Sequence, residues 1–391
     1  MNEGLGRRGE TSASHRRRRF VLVVGVAAAL ALLAFAVIGG GLSSEDGSGT
    51  AEEPVRLTVS VSGDLLIHSP VFFAAQSLAG GAGYEFGPML EQLRPQVKGA
   101  DLAICHFETP VTSAPPSGLP TFNAPVELAE AVAATGWDAC DTASNHSLDQ
   151  GQEGVDATVD VLDRAGIAHT GSFASAKDRD EPLIVKANGV RVGLVAYTTG
   201  SNGLVPEPHS VNIATRPEQV IADARAARDA GAEVVIVNVH WFTDAVDEYS
   251  SEPSTEQRAF AERLAATPEI TAIVGQGPHV VQPIVWMNGK PVVFSEGNLL
   301  ANQGAAAGLP EASQDGILAT LEIVVDDDGA RVERVRYTPV YVSQPDFTVL
   351  PVGQTLDSGA ADEGALRASY DRTVGIVGRD RMTKPVPPKL P

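Results

Sequence analysis

The stretch that decides the fold is Thr142-Ala143-Ser144-Asn145-His146-Ser147-Leu148-Asp149-Gln150-Gly151. It follows a short apolar run, residues 136–140, that predicts a buried strand, and it precedes a run with helical spacing, residues 155–162. Asn145 and His146 are therefore expected in a strand-to-helix loop, at the sheet edge where open α/β folds bind ligands. An amide oxygen and an imidazole nitrogen are both suitable metal ligands. The competing interpretation is a helix N-cap formed by Ser144, Asn145 or Asp149.

Composition and charge limit the class of protein. The chain has 391 residues, 43% of them hydrophobic, which is enough for one large domain or two smaller ones. The net charge of −20 argues against a nucleic acid partner, because phosphate binding needs basic surface. Cys105 and Cys140 each lie in an apolar run that predicts a core strand. Buried free thiols are the default expectation. A disulfide would require that the two strands be neighbours and the compartment oxidising.

The N-terminal region predicts a membrane anchor. Residues 1–19 are polar and end in four arginines, residues 16–19, and residues 20–42 are an uncharged apolar run. At ~1.5 Å per residue, this run is long enough to cross a ~30 Å hydrocarbon core. The arginines place residues 1–19 in the cytoplasm and the remaining chain outside, in a single-pass protein of the cell membrane. A cleaved signal peptide is the alternative, and a retained anchor is our prediction. Residues 43–54 predict a flexible linker.

The rest of the chain predicts one mixed-sheet α/β domain over residues 55–343. Strand patterns alternate with helical patterns in the first two-thirds, and hairpins follow at Asn188-Gly189, Asn288-Gly289 and residues 326–329. This mixture favours a sheet with both parallel and antiparallel strands. From about residue 344 the pattern fades, so residues 344–391 are expected to be a partly disordered C-terminal extension.

Several polar side chains fall at or just beyond predicted strand ends. They are His68, His106, His146, His240 and His279, together with Asp64, Glu108 and Asn145. Each one alone has an ordinary explanation, such as a turn or a core histidine, but the set favours a convergent metal site at one sheet edge. A carboxylate such as Glu108 could bridge two ions of a pair ~3.5–4 Å apart. We expect Cys105 and Cys140 on adjacent strands near the floor of this site.

The order of these segments resembles a known family. The segments are Gly63-Asp64-Leu65-Leu66-Ile67-His68, His106-Phe107-Glu108-Thr109-Pro110, residues 144–151, His240-Trp241, Glu248-Tyr249, residues 275–283, and Gly297-Asn298-Leu299 with Gln303. Over residues 55–303 the chain resembles the CapA family of capsule and poly-γ-glutamate biosynthesis proteins, which are related to calcineurin-like metallophosphatases. The resemblance implies a metallophosphatase-like sandwich of mixed β-sheets flanked by helices.

The resemblance also implies roles for particular residues. The positions that match metal ligands are Asp64, Glu108, Asn145, His240 and His279. His146 matches the histidine that helps to protonate the leaving group, and Asp149 is suited to orient it. The chain departs from the family pattern at His106, at Gln276-Gly277 where a second histidine is usual, and at Glu296. His68, His106 or Gln276 is then expected to replace the lost ligand; otherwise only one metal binds, or none tightly. The donor set suits Mn, Fe or Zn better than Ca.

Two functions remain open at this point. The first is an anchored, metal-dependent hydrolase or transferase that acts on an envelope polymer or a phosphoester. The second is a non-catalytic accessory subunit of a polymer synthase or export complex, which holds an anionic envelope polymer in the same cleft. The missing histidine favours the second function, and the Asn145-His146 pair with Glu108 favours the first. A serine or cysteine nucleophile is disfavoured, because Ser295 and Cys105 lack a nucleophile elbow or a thiolate environment.

Overall fold

Alternating and continuous apolar runs build two β-sheets in the computed structural model, which describes residues 53–242, 248–359, 362–379 and 382–386. Within these residues the strands are β1 Val55–Leu66, β2 Leu102–His106, β3 Ala139–Asp141, β4 Ala168–Thr170, β5 Leu183–Ala187, β6 Val190–Thr198, β7 Val234–His240, β8 Ala272–Gln276, β9 Ile284–Met287, β10 Lys290–Val293, β11 Asn298–Ala301, β12 Asp315–Asp326, β13 Gly329–Val342, β14 Val349–Pro351 and β15 Thr383–Pro385. The predicted membrane span and its cytoplasmic flank lie outside the described residues.

The helices occupy the connections between strands. They are α1 Ser69–Leu78, α2 Gly87–Leu90, α3 Arg94–Val97, α4 Glu127–Thr135, α5 Gly151–Ala165, α6 Ala176–Asp180, α7 Pro217–Asp229, α8 Thr255–Ala265, α9 Val352–Asp357 and α10 Glu363–Val377, with short 3-10 turns at Glu91–Leu93, Ala305–Ala307 and Glu311–Gln314. The sequence allows a helix over residues 84–97 that prolines 88 and 95 limit, and each proline is the second residue of a separate four-residue helix in the structure. No helix in the described parts of the chain is both long and apolar enough to cross a bilayer.

The two sheets are mixed, as the sequence predicts. The larger sheet has the order β14-β13-β12-β1-β2-β3-β4, with β11 also paired to β1 and β15 to β13. The smaller sheet has the order β5-β6-β7-β8-β10-β9. The pairs from β1 through β4 and from β6 through β8 are parallel, whereas β12 runs antiparallel to β1. The parallel strands bring their carboxyl ends to one edge of each sheet.

Three apolar clusters show how the layers pack. One cluster joins residues from both sheets, including Val59 and Ile104 on the larger sheet and Ile236 and Val274 on the smaller one. A second covers the opposite face of the larger sheet with α1, α2, α4 and α5, and a third covers the smaller sheet with α7 and α8. The prediction of a sandwich of mixed sheets flanked by helices is therefore confirmed.

The region after residue 344 differs from the sequence-based expectation of a partly disordered extension. β14 and β15 pair with β13, and α10 buries Leu366, Tyr370 and Val374 in the core between the sheets. These short elements have weak sequence patterns because their positions depend on a core supplied by the rest of the chain. Residues 387–391 lie outside the described part of the chain.

Alternating apolar residues predict a strand over residues 55–62, and β1 extends four residues beyond that end. The extension exists because β11 pairs with it, with Asp64 opposite Asn298 and Leu65 opposite Leu300. The register with both neighbours shifts at Asp64, and such irregularities re-aim a side chain. Gly63 permits this close approach, since a Cβ atom there would lie 1.8 Å from the Gly297 carbonyl oxygen.

Candidate metal centre

Five strand ends deliver polar side chains to a common point between the sheets. β1 carries Asp64 and β2 ends at His106, two residues before Glu108, while β7 ends at His240. The loop after β3 carries Asn145, and the loop after β8 carries His279. All six of these side chains are buried, and Asp64, His106 and Glu108 have no exposed surface. Polar groups buried to this degree require strong partners.

Two groups of three residues place their ligand atoms within 4.8 Å of one another. The first is Asp64, His106 and His240, and the second is Asp64, Glu108 and His279. The residue common to both groups is Asp64, whereas Glu108 was the candidate from sequence for a carboxylate shared by two ions. Asp64 has the shared position because its two oxygens face opposite ways. Oδ1 lies 3.9 Å from His106 Nε2, and Oδ2 lies 3.0 Å from His279 Nδ1.

The carboxylate of Glu108 is buried without a hydrogen-bond partner for either oxygen among the described residues. Asp64 Oδ1 also finds no hydrogen-bond partner in the described part of the chain. Burial and the nearby Asp64 charge raise the pKa of Glu108 to about 7. Buried carboxylates without partners are costly unless they are protonated or coordinate a cation. The donor set of carboxylates, imidazoles and an amide oxygen therefore fits a borderline divalent metal ion.

A chain of hydrogen bonds joins Asp141, His106, His240 and Asn145. His106 Nδ1 lies 2.6 Å from Asp141 Oδ1, His106 Nε2 lies 2.9 Å from His240 Nδ1, and His240 Nε2 lies 2.8 Å from Asn145 Oδ1. Since an amide oxygen can only accept, His240 Nε2 carries a proton and His240 Nδ1 presents a lone pair. His106 then donates from both ring nitrogens.

The pKa values of the two rings agree with this assignment. Burial alone would lower the pKa of His106, but the carboxylates of Asp141, Asp64 and Glu108 raise it to about 9. Burial and the adjacent His106 charge lower the pKa of His240 well below its usual value. His240 is therefore neutral, which is the form that binds metal ions.

His279 is held in place by backbone geometry and by two neighbours. Its φ angle is 58°, in the left-handed region that few non-glycine residues occupy. Its Nδ1 lies 3.0 Å from Asp64 Oδ2 and 3.2 Å from Asn298 Oδ1, and the Tyr249 ring lies beside it at 6.1 Å. Burial opposes ionisation, but Glu108 and Asp64 raise the pKa of His279 to about 9.

His146 and Asp149 form a separate pair at the rim of the centre. His146 Nδ1 lies 2.8 Å from Asp149 Oδ2, which also accepts a hydrogen bond from the Phe122 amide at 2.7 Å. The Phe122 ring packs edge-on against His146 at 4.7 Å. Asn202 donates to the Asn145 carbonyl oxygen and so ties a second loop to this site. With Nδ1 occupied by Asp149, His146 Nε2 is the ring nitrogen available for proton transfer.

The three candidates for a replacement ligand take different positions. His106 joins a ligand group, as described above. Gln276 is buried and donates from Nε2 to Glu296 Oε2 at 3.0 Å, so two of the departures from the family pattern contact each other. His68 belongs to neither group. It packs edge-on against Phe122, and burial lowers its pKa to about 4.

Cys105 and Cys140 lie opposite each other on β2 and β3, so the prediction of adjacent strands is confirmed. Their Cα atoms are 4.4 Å apart and the sulfurs form a disulfide. The default expectation of free thiols is therefore wrong, because the parallel register of two short strands brings the side chains together. The disulfide joins β2, which ends at His106, to β3, which is followed by the loop that carries Asn145.

Sequence reasoning missed two residues of this site. Asp141 ends β3 opposite His106 in the register, a relationship that depends on strand pairing and not on sequence spacing. Asn202 comes from the long loop after β6, for which the sequence contains no strand-end signal. Asn298, in contrast, was part of the quoted resemblance, although no role was assigned to it.

Comparison with known proteins places this chain in a family. Residues 58–303, more than half of the chain, match the family model described as bacterial capsule synthesis protein PGA_cap. The chain belongs to this family. The resemblance to CapA-type capsule and poly-γ-glutamate biosynthesis proteins, inferred from the sequence, is thereby confirmed. The chain is a CapA-like protein whose buried ligand groups form a candidate metal site.

Individual relatives share about a quarter of their residues with this chain over the matched segments. The chain is 27% identical over 165 residues to the PGA biosynthesis protein CapA of Bacillus subtilis strain 168, covering 42% of each chain. It is 25% identical over 217 residues to a probable polyglutamine synthesis accessory protein of Mycobacterium tuberculosis, covering 52% of this chain and 56% of that one. The matches thus span about half the length of these relatives. Among solved structures, the calcineurin-like phosphoesterase YfkN from Bacillus subtilis aligns with 81% of this chain and 100% of its own, at 14% identity and a TM-score of 0.45.

Proposed function

We propose that this CapA-like protein is a metal-dependent hydrolase or transferase of metallophosphatase type, acting on a phosphoester or an envelope polymer in capsule or poly-γ-glutamate biosynthesis. The observation that carries the proposal is the environment of the Glu108 carboxylate. This carboxylate is fully buried between the sheets, its two oxygens lack partners among the described residues, and it shares a ligand group with Asp64 and His279. A divalent cation bound to these carboxylate oxygens would offset the free-energy cost of burying them without hydrogen-bond partners.

The residues around the centre have complementary tasks. Asp64, Glu108, Asn145, His240 and His279 hold Mn, Fe or Zn, with one or two ions per chain. A cation held there supplies Lewis acidity and lowers the pKa of bound water. His146 donates a proton to the leaving group through Nε2, and Asp149 keeps the ring oriented by accepting from Nδ1. Burial of the centre strengthens these electrostatic interactions.

We propose that the domain acts outside the cytoplasm, anchored by residues 20–42. The supports are the arginines at residues 16–19, the uncharged run that follows, and the Cys105–Cys140 disulfide, since disulfides persist in oxidising compartments. The cell membrane is then one partner, and subunits of a polymer synthase or export complex are others. The net charge of −20 makes an anionic polymer a poor partner unless the metal offsets it.

The second candidate is a non-catalytic accessory subunit that holds an anionic polymer in the same cleft. Two observations favour it. Gln276 stands where the family usually has a histidine and is hydrogen-bonded to Glu296, and a relative from Mycobacterium tuberculosis carries the name accessory protein. Both candidates use the same centre, and they differ in whether a bond is cleaved.

The test uses the purified full chain incubated with Mn, Fe or Zn salts and then freed of unbound metal. Elemental analysis measures the bound metal, and hydrolysis of bis-p-nitrophenyl phosphate, p-nitrophenyl phosphate and poly-γ-glutamate measures activity. The enzyme proposal predicts bound metal and metal-dependent turnover of at least one substrate, lost in Glu108→Gln and kept in the exposed control Glu153→Gln. Bound metal with polymer binding but no turnover supports the accessory function, and a chain that stays metal-free contradicts the enzyme proposal.

A further inference from the structure

We propose that His106 is a metal ligand of this chain, that Asp141 is its positioning residue, and that together with Asp64 and His240 it forms one of two cation positions that share Asp64. This inference rests on the proposed metal centre and deepens it. It assigns to β2 a nitrogen ligand that the set Asp64, Glu108, Asn145, His240 and His279 does not contain. It also changes which carboxylate is shared.

The first argument is the convergence of donor atoms. His106 Nε2 lies 2.9 Å from His240 Nδ1 and 3.9 Å from Asp64 Oδ1. Asp64 Oδ1 is buried and has no hydrogen-bond partner among the described residues. His106 Nε2 donates to His240 Nδ1, so the two ring nitrogens face each other, and a cation bound beside them would replace the shared proton. Two imidazoles and a carboxylate oxygen form the donor set of a borderline metal ion.

The second argument is the support behind His106. Its other nitrogen, Nδ1, lies 2.6 Å from Asp141 Oδ1, and both side chains are buried. A histidine that binds a metal through one nitrogen usually donates the other N–H to a carboxylate, which fixes the tautomer and the ring orientation. Asp141 is held in register with His106 by the pairing of β3 with β2. The Cys105–Cys140 disulfide locks the preceding pair of residues.

The third argument concerns the residue that would otherwise compete for this position. Gln276 is the register partner of His240 on β8, and it offers an amide in place of an imidazole. Its Nε2 donates to Glu296, and its Oε1 has no partner among the described residues, so Gln276 could offer a cation an amide oxygen but no nitrogen. The smaller sheet therefore supplies one nitrogen ligand, His240, and the larger sheet supplies the second, His106. A cation bound by both would tie the two sheets together.

The geometry also separates the two positions. The second ligand group, Asp64 with Glu108 and His279, contains neither His106 nor His240. Asp64 Oδ2 faces His279 at 3.0 Å, while Oδ1 faces His106. A substitution confined to His106 should therefore affect one cation position and leave the other in place.

The experiment titrates Co²⁺ into the purified full chain and measures stoichiometry by equilibrium dialysis, the visible absorption of the bound ion, and the thermal midpoint. His106→Asn keeps a donor toward Asp141 but removes the atom at Nε2. Asp141→Asn leaves His106 in place and removes the orienting carboxylate. Asp138→Asn is the matched control, because Asp138 precedes the opposite end of β3 and its carboxylate accepts a hydrogen bond from the Ala103 amide, away from the ligand groups.

We expect the wild type and Asp138→Asn to bind two Co²⁺ per chain and His106→Asn to bind one, with a smaller rise of the thermal midpoint on loading. The retained ion shows that this variant is folded. Asp141→Asn should weaken one position by ~10–100-fold and alter the absorption of the ion bound there, which a purely structural role would not do.

An unchanged stoichiometry and spectrum in both His106→Asn and Asp141→Asn, with the wild type still binding metal, would overturn this inference and leave the proposed metal centre standing. A wild type that binds no Co²⁺, Mn²⁺ or Zn²⁺ would overturn both.

Discussion

Cys105 and Cys140 are register partners on two parallel strands and are joined by a disulfide that closes a sequence separation of 35 residues. A crosslink over a loop of this length stabilises a domain by ~2–4 kcal/mol, chiefly through the unfolded chain. We expect the double variant Cys105→Ala and Cys140→Ala to lose about this free energy of unfolding, measured by urea denaturation. Reductant should destabilise the wild type similarly and leave the double variant unchanged. Equal stability of the two proteins before reduction would contradict the prediction.

The Glu108 carboxylate should lower the free energy of unfolding when metal is removed and raise it when metal is bound. In chelator at about pH 8, Glu108→Gln should be more stable than the wild type by roughly 1–3 kcal/mol, because it removes a buried carboxylate whose oxygens have no hydrogen-bond partner among the described residues. With saturating metal, the wild type should gain more stability than the variant, which keeps only the position formed by Asp64, His106 and His240. Urea unfolding with and without metal measures both effects. The exposed Glu153→Gln should behave as the wild type does, and a wild type unaffected by metal would refute the prediction.

His146 should contribute to turnover and not to metal retention. His146→Ala should keep its metal and lose ~10²-fold or more in rate, because proton donation to the leaving group is lost. Asp149→Asn should act in the same direction with a smaller effect, since the ring remains but its Nδ1 partner is changed. Steady-state kinetics with elemental analysis test both variants. His169→Ala is the control, as His169 pairs with the exposed carboxylate of Asp163 and belongs to neither ligand group of the described residues. Loss of metal from His146→Ala would assign it a ligand role instead.

Metal affinity should rise with pH between about pH 6 and pH 9. The carboxylates around His106 and His279 raise the pKa of each ring to about 9, and burial raises the pKa of Glu108 to about 7. Each of these groups must lose its proton to bind a metal, so protons compete with the cation more strongly as pH falls. His240, with a lowered pKa, adds no such dependence. Affinity should change by ~10-fold per pH unit for each displaced proton. An affinity independent of pH would contradict this prediction.

The domain should be accessible from outside the cell. Residues 16–19 and 20–42 predict a retained anchor with its N-terminus in the cytoplasm. Protease added to intact cells should digest the domain and leave an N-terminal cytoplasmic tag protected. Full protection of the domain, or a mature chain that begins after residue 42 and is found free in the medium, would be incompatible with this topology.

Sequence patterns predicted the elements that depend on local chemistry. Period-two alternation marked the start of β1, Asn-Gly pairs marked two hairpins, and polar residues at strand ends marked the site. The same reasoning missed the last four residues of β1, because they are strands only through pairing with β11. It also missed the order after residue 344, since α10 is stabilised by a core contributed by distant residues.

The sequence by itself determined which donor atoms arrive at the sheet edge, because strand ends, turns and the ordered segments of the family are local properties. Only the tertiary structure decided how those donors are grouped. Asp64 faces His106 on one side and His279 on the other, and Asp141 supports His106 through strand register. The physical reason is that ligand geometry depends on the pairing and packing of strands far apart in the chain. A shift of one register position would turn His106 away from both Asp64 and Asp141.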